Sequence, residues 1–220
     1  MARTVHVIGN GDCASFYQKE PRKGLKLCCN VPPFEIYDMY ATCIVDFKMM
    51  ATIKAEQANP PGEWILGIRP KMFCEKNPAF HMKIANRVKE FYTKKPKYAK
   101  NYTDFNCGHM ATHYACNRLK ADTVHLYGFD SCFDFNMNSF TDLVLESDRG
   151  LMNSQRLSSN WRPIWEHMFK EWPDVQFVFH YYHDKFKIKT QKNVSAVVYK
   201  QTKTPDRPED VDFDSLGGGV

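Results

Sequence analysis

The chain has 220 residues, 43% of them hydrophobic and 25% charged, which excludes a disordered or fibrous protein and fits one domain with a sizeable core. No apolar run approaches the roughly 20 residues that a membrane-spanning helix needs, and Met1-Ala2-Arg3-Thr4 leads directly into a strand-like segment, so a cytoplasmic protein with no membrane span is expected. The formal net charge is +5; five acids against Arg207 put −4 on residues 205–220 and +9 on residues 1–204. That acidic end, with its prolines and Gly217-Gly218-Gly219, has little to bury and is expected to be a disordered tail. The basic body favours anionic partners such as nucleotides, nucleic acid or acidic glycans, unless its lysines are simply solvated faces of helices.

Short apolar runs alternate with helix-like segments, the pattern of a single doubly wound α/β domain with a mainly parallel sheet and helices on both faces. Strands are expected at Thr4 to Ile8, Leu25 to Cys29, Thr42 to Phe47, Trp64 to Ile68, Thr123 to Tyr127, Val175 to Phe179 and Val194 to Tyr199. The first runs into Gly9-Asn10-Gly11-Asp12, and residues from Cys13 to Gln18 can begin a helix. A glycine-rich turn at that point lets backbone amides approach a phosphate or sugar, although Asn-Gly and Gly-Asp also make ordinary tight turns. The dinucleotide pattern GxGxxG is incomplete here, which argues against a nicotinamide dehydrogenase.

Further along, Phe80, Ile84, Val88 and Phe91 recur at helical spacing and predict one amphipathic helix. Lys94 to Asn106, with Pro96 and three aromatics among lysines, reads as a surface loop. Asn106-Cys107-Gly108 begins a helix on which His109 and His113 lie four apart, a spacing open to a metal, a catalytic pair or plain core packing. The glutamate of an HExxH site is lacking, and residues 1–204 hold no DxD, Asp212-Phe213-Asp214 lying in the tail, so no metal is expected. Trp161, Trp165, Met168, Phe169 and Trp172 form an aromatic helix suited to the core or an interface. The eight cysteines contain no CxxC pair and are expected to be small buried hydrophobes.

Four segments, taken in order, resemble a known family. Gly9-Asn10-Gly11-Asp12, Leu27-Cys28-Cys29-Asn30, Asn106-Cys107-Gly108 and Val124-His125-Leu126-Tyr127-Gly128-Phe129-Asp130 are similar to the skeleton of the bacterial sialyltransferases of glycosyltransferase family 42. The resemblance spans roughly Thr4 to Phe179. It implies a cleft for a nucleotide-activated sugar, a CMP-sugar or a related donor, at the carboxyl ends of the strands, with no separate cofactor. Asn10 and Gly11, with Gly9, would face phosphate and ribose, and Asn30 the phosphate or donor sugar. Cys107 and Gly108 would present backbone amides, with Cys107 standing where the family has serine. Gly128 and Asp130 would lie beside base and ribose, Asp130 either accepting a hydroxyl or capping a helix.

Two departures accompany this. After Asp130 the chain reads Ser131-Cys132-Phe133-Asp134-Phe135-Asn136, without the tyrosines that in the family stabilise the leaving phosphate. Asp148-Arg149 is present, but no histidine follows where the family places its catalytic one. Arg149 or Arg156 would then serve the phosphate, and the candidate bases are His183 in His180-Tyr181-Tyr182-His183-Asp184, Asp148 and His109. The expected activity is metal-independent glycosyl transfer to an unknown acceptor. The alternatives are a non-catalytic nucleotide- or nucleic-acid-binding protein on the same fold, and a glycosyltransferase acting on DNA.

Overall fold

The computed structural model of the protein describes residues 2–18, 22–102, 104–132, 151–182, 188–189 and 191–200. Its centre is one sheet of eight strands: β1 (Thr4–Ile8), β2 (Leu25–Cys29), β3 (Ala41–Ile44), β4 (Trp64–Leu66), β5 (Val88–Phe91), β6 (Thr123–Tyr127), β7 (Gln176–Tyr181) and β8 (Val194–Val198). They lie in the order β5-β4-β3-β2-β1-β6-β7-β8, and every neighbouring pair is parallel. The order reverses at β1, where Val5 is flanked by Leu25 of β2 on one side and Val124 of β6 on the other. That reversal opens a crevice beyond the carboxyl ends of β1 and β6, the usual ligand position in such sheets.

Among the described residues, five α-helices accompany the sheet: α1 (Phe47–Lys54), α2 (Ile68–Lys76), α3 (Pro78–Ile84), α4 (Cys107–Asn117) and α5 (Leu151–Glu171). Because side chains alternate along a strand, Val5, Val7, Val124, Leu126, Phe177 and Phe179 share one face. On it they meet Met110 and Ala111 of α4 and Trp165, Met168 and Phe169 of α5 in the main core. The other face is covered in two pieces. Ile44, Trp64 and Leu66 pack under α1, α2 and α3, whereas Ile8, Cys28 and Tyr127 pack under a short 3-10 helix, Asp12–Tyr17. All eight cysteines are free and buried.

The helix expected to run from Phe80 to Phe91 stops at Ile84. A 3-10 turn, Ala85–Arg87, follows, and Val88–Phe91 becomes β5. Phe80, Ile84, Val88 and Phe91 still meet in one cluster, but through a helix folded back on a strand, with Val88 paired to Trp64. Tertiary pairing of a β-branched and aromatic segment outweighs the coincidental helical period. The strands expected to reach Phe47 and Ile68 are also shorter, because Asp46 and Gly67 are the N-caps of α1 and α2. The segment 94–106 is more than a solvated connector: Pro96, Ala99 and Phe105 are buried, and the Tyr98 hydroxyl donates to Glu171 of α5 at 2.6 Å.

Candidate functional site

The turns after β1 and β6 are built against each other. The Gly9 amide donates to the Tyr127 carbonyl at 2.7 Å and the Gly11 amide to the Gly128 carbonyl at 3.1 Å. A Cβ at Gly9 would lie 2.6 Å from the Gly128 carbonyl oxygen, and one at Gly11 would collide with the Asp130 carboxylate. Gly128 itself has φ +74°, a left-handed conformation that a side chain would strain. These glycines are therefore required by the close approach of two chain segments. Asp130, 5% exposed, accepts from the Cys13 amide at 3.2 Å. The capping alternative read from the sequence is the geometry observed, and it has a consequence for charge. The amide end of the Asp12–Tyr17 helix, where a glycine-rich turn would hold a phosphate, already faces the chain's own carboxylate. The Gly11 amide is likewise committed to Gly128 rather than directed at a phosphate.

The remaining predicted residues extend this neighbourhood towards β2 and α4. Asn10 donates through Nδ2 to the Val31 carbonyl at 2.9 Å, tying the first turn to the end of β2. Asn30 sits in the left-handed region at φ 54°, which asparagine tolerates better than most residues. Its amide donates to the Cys43 carbonyl at 3.0 Å, and its Oδ1 accepts from the Cys107 thiol at 3.2 Å. Its Nδ2 has no hydrogen-bond partner among the described residues. Burial, followed by the charge of Asp46, pushes the Cys107 thiol well above its usual range, so this sulfur is a neutral donor and not a nucleophile. Gly108 lets the first turn of α4 rest on the Phe129 ring, which a Cβ would strike.

The structure thus brings Gly9, Asn10, Gly11, Asn30, Cys107, Gly108, Gly128 and Asp130 together by direct contacts at one edge of the sheet. Asp148, Arg149 and His183 lie outside the described residues. His109 is a correction. It is fully buried, stacked on Phe105 at 5.8 Å and tilted against Trp165 at 4.7 Å, and burial lowers its pKa to about 3. Its role is to close a capping box: the Asn106 side chain accepts from the His109 amide at 3.0 Å, and the Asn106 amide donates to His109 Nδ1 at 3.3 Å. His109 is therefore the neutral Nε2–H tautomer holding the start of α4, out of reach of a substrate. His113 is buried as well, with Nδ1 2.5 Å from the Tyr92 hydroxyl.

His180 is equally withdrawn. It is 3% exposed, with Nε2 2.9 Å from His125 Nδ1 and Nδ1 2.9 Å from the Tyr199 hydroxyl. His125 stacks on His6 at 5.0 Å, and His6 Nε2 donates to the Lys23 carbonyl at 2.8 Å. This array across β1, β6 and β7 was legible only by counting alternate strand positions, which place His6 and His125 on one face. Among the described residues, no group of three or more histidine, cysteine or acidic side chains is arranged to hold a metal, and no helix is long and apolar enough to cross a membrane. No family model, curated protein or solved structure matches this chain.

Proposed function

We propose that this protein binds a nucleotide-activated sugar at the carboxyl edge of β1, β2 and β6 and transfers the sugar to an acceptor without a metal. The observation that carries the reading is Asn30: a left-handed asparagine with an uncommitted Nδ2, fixed beside the start of α4 next to the point where strand order reverses. Among the described residues the Cys107 and Gly108 amides make no backbone hydrogen bond, and the macrodipole of an 11-residue helix favours an anion there. Since Asp130 faces the amide end of the Asp12–Tyr17 helix, the donor phosphate belongs at α4 and Asn30, and the ribose hydroxyls at Asp130. In this arrangement His183 or Asp148 is the base that takes the acceptor proton.

Calorimetric titration with a panel of nucleotides and nucleotide sugars tests the proposal. Asn30→Ala is expected to weaken the best ligand by about tenfold or more, one hydrogen bond to a charged group being worth roughly 1.5 to 3 kcal/mol. Absence of binding by every nucleotide would end it. The +9 body supports a second reading, a nucleic-acid-binding protein on this fold. Steeply salt-dependent binding to DNA or RNA, with no turnover of any donor, would establish that one instead.

A further inference from the structure

Two charged residues at the carboxyl ends of β3 and β4 are placed against their local preferences. Asp46 is the N-cap of α1, where an aspartate usually accepts a hydrogen bond from the helix, yet its carboxylate makes no capping bond. Arg69 lies in the first turn of α2, which holds no acidic residue, and there the helix dipole disfavours a cation. The two side chains turn to each other instead, with Arg69 Nη1 3.1 Å from Asp46 Oδ1. Departures from local preference of this kind are characteristic of functional sites.

The pairing fixes the arginine without using up its donors. Its side chain is 23% exposed, and its guanidinium carbon lies over the Phe47 ring at 5.3 Å. Beyond the ion pair, Arg69 makes no hydrogen bond among the described residues. A guanidinium carries five N–H donors in a planar fork that matches the oxygens of a phosphate.

This cation stands beside the start of α4. A Cβ on Gly67, the N-cap of α2, would press on Met110 Sδ at 3.2 Å, so the beginning of α2 lies against α4. The Cys107 thiol, which donates to Asn30 Oδ1, takes a backbone hydrogen bond from Val45 and lies under the opposed charges of Asp46 and Arg69. Asn30 is 8% exposed, and its Nδ2 has no partner among the described residues. Three kinds of donor therefore gather at one edge of the sheet: the first amides of α4, a buried side-chain amide and a fixed guanidinium.

We propose that Arg69 is the cation that binds the donor's phosphate, together with Asn30 and the start of α4. The assignment rests on the reading of the cleft as a nucleotide-sugar site and gives that site a charged residue. In the transfer, the bond from the sugar carbon to the phosphate oxygen breaks and that oxygen keeps the electron pair. The sugar carbon bonds to the acceptor oxygen, whose proton passes to the base, and Arg69 stabilises the charge on the departing phosphate.

Calorimetry and NMR on the full chain use the panel of nucleotides, their parent nucleosides and inorganic pyrophosphate. Nucleotides and pyrophosphate are expected to shift the Asn30 side-chain amide and the Cys107 and Gly108 backbone amides. Arg69→Gln is expected to raise their Kd about tenfold or more, as the loss of a charged hydrogen-bonding group predicts, and to leave nucleoside binding unchanged. Because Arg69→Gln leaves Asp46 without its partner, Asp46→Asn combined with Arg69→Gln is measured beside it and is expected to bind as weakly. Native affinity for nucleotide or pyrophosphate in either variant, or an equal loss for the nucleosides, would overturn the role of Arg69 and leave the reading of the cleft in place. If no nucleotide binds but pyrophosphate binds and is lost in Arg69→Gln, the sugar-donor reading falls and Arg69 stands as a phosphate-binding residue. If neither binds, both fall.

Discussion

The two faces of the sheet at β1, β6 and β7 are held by different physics. On the side covered by α4 and α5, Val5, Val124, Phe177 and Phe179 join Trp165 and Phe169 in one apolar cluster. On the other side, at the alternate positions of the same strands, His6, His125, Tyr127 and His180 are joined with Tyr199 by hydrogen bonds and ring stacking. Arg22 donates to the Tyr199 hydroxyl at 3.3 Å, and Phe16 stacks on the Tyr199 ring at 4.0 Å. Burial is non-directional and scales with area, so the first face is defined by volume. A buried imidazole must find partners, so the second face is defined by geometry.

The largest expected effect lies on the apolar side. Phe177 is fully buried and packs on Phe169 with ring centres 5.0 Å apart. Phe177→Ala is expected to cost about 3 to 5 kcal/mol in denaturant unfolding, the usual loss for a truncated core aromatic. Phe177→Leu should recover much of that, because shape is partly restored. A loss near zero in Phe177→Ala would show that this face is not the principal core.

On the histidine side, restoring volume should not rescue. His180→Phe keeps a ring but leaves His125 Nδ1 without its partner and removes the partner of Tyr199, which is expected to cost roughly 1 to 3 kcal/mol. Matching stabilities for His180→Phe and the native protein would show that stacking alone holds this face.

The same contrast appears in the pH dependence. Burial, with the nearby charges of His125 and Arg22, lowers His180 to about 3, and burial lowers His125 to about 4 and His109 to about 3. The folded protein keeps these rings neutral, whereas the unfolded chain takes up protons below about 6.5. Stability is therefore whole above pH 6.5 and falls as pH drops towards about 4, each fully buried histidine adding a slope of up to about 1.4 kcal/mol per pH unit. His180→Phe should flatten that slope by one histidine while lowering the stability at neutral pH. An unchanged slope would mean that His180 is already charged in the fold.

β1, β2 and β6 lie at the bounds that their short apolar runs predict. What local pattern could not supply was pairing. Val88–Phe91 fits a helix until β4 offers it a neighbour, and the meeting of the Asp130 carboxylate with the Cys13 amide, 117 residues away, is set by the fold. For His109 the sequence leaves catalysis and core packing both open, because its position at a helix start is visible, whereas Trp165, which seals it, comes from a helix 56 residues away in the chain. The glycines were legible as a turn, but their cause, the contact of two turns more than a hundred residues apart, is a property of the fold.

The smallest effect expected is at the junction of the apolar face and the site, where Asn106 caps α4. Asn106→Ala removes the acceptor for the His109 amide and is expected to cost about 1 kcal/mol, the common value for a lost N-cap. Asn106→Asp keeps an acceptor and adds a charge that the helix dipole favours, so stability should hold or rise slightly. The same carboxylate would compete with any phosphate at the Cys107 and Gly108 amides. Comparing the two variants therefore separates the roles of this residue. If α4 receives the donor phosphate, Asn106→Asp loses nucleotide affinity without losing stability, and Asn106→Ala loses stability first. Full nucleotide affinity in Asn106→Asp would place the phosphate elsewhere and leave the start of α4 as a packing element of the apolar face.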